Sequence, residues 1–129
     1  MKGQVQMQTM DFPTFPPGEV EIEILIDEEG TFRVAPTKRW VAGGGTVTFK
    51  TNGSTAAQVH VPDTSVVYEG AEPGLGPLVF QLGLNDAKAL TAVDGQTALP
   101  YSVFRLEAGK IEEGTEQAPV IIIVKTSIR

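Results

Sequence analysis

The chain has 129 residues and a mass of 13.8 kDa, with 41% hydrophobic and 20% charged residues, enough apolar side chain for one core and too little charge for a disordered tail. Its ten basic and sixteen acidic residues leave a net charge of -6, which repels phosphate backbones and anionic lipid and argues against nucleic acid and membrane surfaces as partners. The absence of cysteine excludes disulfides, thiolate zinc sites, iron–sulfur clusters and thiol nucleophiles, and the longest apolar run, Val120 to Val124, falls far short of the roughly 20 residues of a membrane-crossing helix.

Met1 to Met10 place Lys2 before glutamines and a threonine where a signal peptide would carry its apolar region, so a cytoplasmic protein is the default expectation. Residues 1–18 are predicted to form an extended, partly disordered arm. Three prolines between Asp11 and Gly18 remove ladder donors, and Phe12 and Phe15 could anchor the arm on the core. A single domain then occupies residues 19–129. Val20, Ile22 and Ile24 alternate with Glu19, Glu21 and Glu23, the pattern of a strand with one buried face and one acidic, solvated face. Asp27-Glu28-Glu29-Gly30 lacks the alternating oxygen ligands of a calcium loop and is predicted as a hairpin turn into Thr31 to Val34, with Phe32 and Val34 facing inward.

Gly43-Gly44-Gly45, reached through Lys38 to Ala42, is predicted as a flexible turn. No Lys-Ser/Thr follows it, so it is not a phosphate loop. Thr46 to Lys50 alternates up to the Asn52-Gly53 turn. Ala57 to Val61 is a strand stopped by Pro62-Asp63, and Ser65 to Tyr68 another, stopped by Glu69-Gly70. After a loop over Glu72 to Pro77, Leu78 to Leu82 is extended again. Asn85 to Val93 is predicted as loop then strand, although Asn85 could cap a short helix. Asp94-Gly95 reads as a tight turn between two antiparallel strands, the second running from Leu99 to Leu106. A charged loop around Gly109 and Gly114 carries Glu112, Glu113 and Glu116. Val120 to Val124 is predicted as a central strand buried on both faces. About eight short strands without helical periodicity indicate an all-β, Greek-key β-sandwich.

Gly45-Thr46-Val47-Thr48-Phe49-Lys50-Thr51-Asn52 resembles the glycine-led strand and turn that open the core of cupredoxins ahead of their first histidine ligand, and His60 follows it. Phe80-Gln81-Leu82-Gly83, then Gly95, Tyr101 and the terminal strand, are similar to later segments of that family, so the resemblance spans most of Val20 to Val124. It implies a cupredoxin-like sandwich. A blue-copper site, however, needs a cysteine thiolate, two imidazoles and usually a thioether. This chain has one histidine, no cysteine, and Ser102-Val103-Phe104 after Tyr101 with no second histidine or methionine beyond. The resemblance therefore implies the fold without the copper site, and no cofactor is expected.

His60 shares a strand face with Gln58, opposite Val59 and Val61, and Asp63 lies three residues on. These two are the candidate binding residues. Ser54, Ser65 and Ser102 could in principle serve a His60-based triad, but none sits in a nucleophile elbow, so catalysis is disfavoured. Two readings stand. One is a non-catalytic ligand-binding or protein-interaction domain whose partner is an unidentified protein or small molecule, with homo-oligomers allowed. The other is a metal-dependent protein or enzyme using His60 and Asp63 with carboxylates such as Glu112, Glu113 or Glu116.

Overall fold

Alternation of apolar and polar residues carries most of the architecture. The computed structural model describes residues 16–115 and 117–125; most of the predicted arm, with Phe12 and Phe15, and also Glu116, lie outside the described residues. Twelve strands run in chain order: β1 (Glu19–Ile26), β2 (Phe32–Ala35), β3 (Lys38–Ala42), β4 (Thr46–Thr51), β5 (Ala56–Val61), β6 (Val67–Tyr68), β7 (Leu78–Leu82), β8 (Ala87–Ala92), β9 (Thr97–Pro100), β10 (Ser102–Glu107), β11 (Lys110–Gly114) and β12 (Val120–Val124). They form three sheets, in the orders β2-β1-β4-β8-β6, β11-β10-β5-β7 and β3-β12-β9.

One core joins all three sheets. Val20, Ile22 and Ile24 of β1 meet Val47 and Phe49 of β4, Val59 and Val61 of β5, Leu90 of β8 and Ile121 and Ile123 of β12. At its centre the Phe49 ring packs edge-on against Phe80 (centroids 5.7 Å apart) and Tyr101 (5.3 Å), the geometry that aromatic quadrupoles favour. The predicted β1–β2 hairpin is present, with Gly30 at φ +84 and the Asp27 carboxylate accepting the Glu29 and Thr31 amides at 2.9 Å. Loop followed by strand also holds at Asn85 to Ala92, with Asn85 at φ +53.

Four expectations change. The strand count rises from about eight to twelve among the described residues, partly because Leu99 to Leu106 is two strands. Pro100 has no amide to donate, and the Tyr101 amide turns to Pro119 O (3.1 Å), so β9 pairs with β12 and β10 with β5. Asp94-Gly95 consequently joins no hairpin, because β8 pairs with β4 and β6. The charged loop at Gly109 is a hairpin: Ala108 (φ +53) and Gly109 (φ +80) make the turn, and β11 returns along β10. All of β11 is exposed, so it left no hydrophobic alternation to read. Finally, β12 is central between β3 and β9 but buried on one face only. Ile121 and Ile123 are in the core, while Val120, Ile122 and Val124 are half-buried.

The glycine triplet is a turn before a strand, as expected, and also the junction of the sheets. Gly43 N–H donates to Val124 O, Gly44 N–H to Ala92 O, and Gly45 O accepts from Ala92 N–H. A Cβ on Gly45 would stand 2.4 Å from Gly18 O, and one on Gly43 would stand 2.9 Å from Gly95 N. Close approach of backbones, rather than slack, demands glycine there.

Candidate functional site

His60 lies on the outer face of the four-stranded sheet. Val59 and Val61 point into the core, so Gln58 and His60 must point away from it. Register then fixes their neighbours, because residues directly opposite each other share a face. His60 stands between Ser102 of β10 and Val79 of β7, and Gln58 between Phe104 and Gln81. The result is a patch of two rows that holds no Asp, Glu, Lys or Arg.

Within it, His60 Nε2 lies 2.7 Å from Gln58 Oε1. A carboxamide oxygen carries no proton, so Nε2–H donates, leaving Nδ1 of the neutral ring as an acceptor. The imidazole also meets the Phe104 ring edge-to-face at 4.8 Å. Phe104 in turn covers Gly114 of β11, where a Cβ would come 3.3 Å from the ring. The aromatic thus fills the space left by a glycine across the strand pair. A shallow groove of about 250 Å³, bordered by Ser102, Phe104, Gly114, Thr115 and Pro119, continues this patch. Two grooves of about 330 Å³ lie elsewhere, one at the β1–β2 hairpin between Asp27, Phe32, Arg33 and Thr115 and one between Glu19, Glu21, Arg39 and Thr48, and none of their lining residues belongs to the His60 rows.

Asp63 does not join His60. Its carboxylate accepts the Ser65 amide (2.9 Å) and hydroxyl (2.5 Å), bonds that lower its pKa and close the turn after β5. No ion pair links the two residues. Of the carboxylates expected to help, Glu113 is paired to Arg105 (3.4 Å) on the β10–β11 hairpin. Among the described residues, no three His, Cys, Asp or Glu side chains gather where they could hold a metal ion. Ser102 does stand opposite His60, a juxtaposition that spacing alone did not single out, yet no hydrogen bond joins them and no acid orients the ring. The nucleophile–base–acid chain of a triad is therefore not assembled. What sequence reasoning missed is the rest of the partner set: Phe104, Val79 and Gln81 join His60 and Gln58 only through strand register, which becomes readable once β5 is known to pair with β10 and β7.

No family model matches the sequence, and the search of curated proteins finds no match. In fold, the chain is similar to amicyanin. The reduced Cu(I) form at pH 4 of a proline-to-glycine mutant of amicyanin superposes with a TM-score of 0.54 and 14% sequence identity, over 88% of this chain and 90% of that one. A Cu(I) structure of a methionine-to-alanine mutant gives 0.53 and 14%, over the same shares. At such identity the likeness speaks for the fold, and the fold is an all-β, cupredoxin-like sandwich.

Proposed function

We propose that this chain is a non-catalytic interaction domain, a cupredoxin-like sandwich without a blue-copper site, which meets its partner through the outer face of β10, β5 and β7 around His60. The observation that carries the reading is the state of that imidazole. Its Nε2 is engaged by Gln58 and its ring by Phe104, so it is held as part of a surface, and among the described residues no cluster of His, Cys, Asp or Glu forms beside it to share a metal ion. With no cysteine and a single histidine, the chain also lacks the donor set of a blue-copper centre. A patch without Asp, Glu, Lys or Arg that carries an aromatic, a β-branched residue, two carboxamides and an imidazole has the composition of an interface centre.

The test is comparative. Resin-bound full chain, the His60→Ala/Phe104→Ala double variant and a Thr48→Lys control on another sheet are probed with the same cell extract. A partner held by wild type and control should bind the double variant at least about tenfold more weakly, since truncating anchors at an interface centre costs more than about 1 kcal/mol. Equal retention by all three refutes the face. In parallel, stoichiometric binding of zinc(II) or copper(II) that His60→Ala abolishes would replace this reading with the metal-dependent one.

A further inference from the structure

An unpaired edge strand is a template for another strand unless something blunts it. The edges here are β2 and β6, β3 and β9, and β11 and β7. Five of the six carry a guard. β6 has two residues, β9 ends on Pro100, β2 carries Arg33, β3 opens on Lys38 and Arg39, and β11 bears Lys110, Glu112 and Glu113 with a register irregularity against β10. β7 has none. It holds neither charge nor proline, and its register with β5 runs without a break from Leu82 opposite Ala57 to Leu78 opposite Val61.

The unguarded strand is also held ready. Thr64 donates its amide and hydroxyl to Gly76 O (3.0 and 2.7 Å) just before β7, and Asn85 N–H reaches Asn52 O (3.2 Å) just after it. Between these ties, among the described residues, no loop or turn backbone bond reaches Leu78–Leu82. Leu75 (99% exposed), Val79 (51%) and Leu84 (59%) present apolar surface along this edge. Pro73 to Asn85 is, moreover, the longest stretch of the chain without an Asp, Glu, Lys or Arg.

We propose that β7 is a self-association edge, where two copies of the chain pair β7 to β7, antiparallel about a two-fold axis, and join their four-stranded sheets into one. The occupant is a second copy because the strand is uncharged and self-complementary about Phe80. A basic partner would be drawn to the acidic stripe of Glu19, Glu21 and Glu23, and two chains of net charge -6, which repel overall, meet with least repulsion where neither presents an acid. Antiparallel pairing about Phe80 sets Leu78 opposite Leu82 of the second copy and Val79 opposite its Gln81, same-face pairs throughout. Strands this short bury less than the roughly 1,200 Å² of a standard interface, so the dimer is weak and reversible. The proposal rests on the interaction reading above, since Val79 and Gln81 belong both to the His60 face and to this edge.

Sedimentation of the full chain from about 10 μM to about 1 mM should show the mean mass rising from 13.8 kDa toward twice that value. Hydrogen exchange at Leu78–Leu82 should slow over the same range. Val79→Lys/Leu84→Lys, at two exposed positions and with its fold checked against wild type by circular dichroism, should remain monomeric. Ile111→Lys on the guarded edge should associate as wild type does. A monomer at every concentration, undiminished association of the double-lysine variant, or slow exchange in dilute monomer of those β7 amides that face away from β5, meaning that another part of the chain occupies the edge, would each overturn the proposal. A monomer whose partner binding still depends on His60 and Phe104 refutes the self-association alone. A dimer whose binding ignores them refutes the functional face alone.

Discussion

Tyr101 is 3% exposed, and its hydroxyl has no hydrogen-bond partner among the described residues. A buried hydroxyl in that position has given up water for nothing, while the ring itself packs edge-on against Phe49. Tyr101→Phe keeps the ring and removes the orphan oxygen, so it should be neutral or stabilise the fold by about 1 kcal/mol in urea denaturation. Burial also pushes the phenol's pKa far above its ordinary value. The unfolded chain releases that proton near pH 10 and the folded chain retains it, so the unfolded state binds fewer protons and stability falls as pH rises above about 10. Wild type should lose stability on that alkaline limb more steeply than Tyr101→Phe; equal slopes would show that the phenol does not carry the effect. None of this was legible beforehand. Tyr101 could be placed beside a turn from its sequence neighbours, but where its hydroxyl ends depends on Pro100 switching the chain between sheets.

Elements were most legible where one face is buried and the other wet, because alternation then encodes both the strand and its orientation. β1 shows this, with Val20, Ile22 and Ile24 buried and Glu19, Glu21 and Glu23 alternating with them on the outward face. β11 shows the converse, since a strand exposed on both faces obeys no hydrophobic pattern. β12 misled in a third way, because a run of five apolar residues cannot say whether one face or two are covered. Its two faces make opposite predictions. Ile121→Asp would bury an unpaired carboxylate in the core, a cost comparable with much of the roughly 5–15 kcal/mol that holds a domain together, and should give no soluble folded protein. Ile122→Asp, on the half-buried face beside Trp40 and Ala98, should fold with a lowered melting temperature; failure to fold would mean this face is as closed as the other. At the sheet junction, Gly45→Ala sets a methyl against two backbone carbonyls, Gly18 O and Ala42 O, which side-chain motion cannot relieve. It should cost about 1–3 kcal/mol, read as a shifted denaturation midpoint. A midpoint unchanged from wild type would show that residues 16–18 yield without loss.

Across the whole molecule, acid stability should be set at three turns rather than in the core. Asp27 accepts the Thr31 and Glu29 amides after β1, Asp63 accepts the Ser65 hydroxyl and amide after β5, and Asp86 accepts the Gly83 and Ala87 amides before β8. In each case these bonds hold the carboxyl pKa below its ordinary value. A folded pKa below the unfolded one means that the unfolded chain takes up protons first as pH falls. The stabilising contribution is therefore complete above about pH 4 and disappears as the pH drops through the lowered values. The net charge of -6 reaches zero near the sequence pI of about 4.7 and turns increasingly positive below it, so overall charge also opposes folding in acid, and it takes variants at the three turns to separate turn chemistry from it. Asn in place of each Asp cannot take up the proton; at positions 27 and 63 it keeps the single oxygen that accepts both donors, while at position 86, where Gly83 donates to Oδ2 and Ala87 to Oδ1, it keeps one acceptor of two. The triple variant Asp27→Asn/Asp63→Asn/Asp86→Asn should accordingly melt somewhat lower than wild type at pH 7 and follow a flatter curve between pH 5 and about 2. If the triple variant loses stability in acid as steeply as wild type does, the protons that unfold this chain bind elsewhere, and the three turns are not what ties its stability to pH.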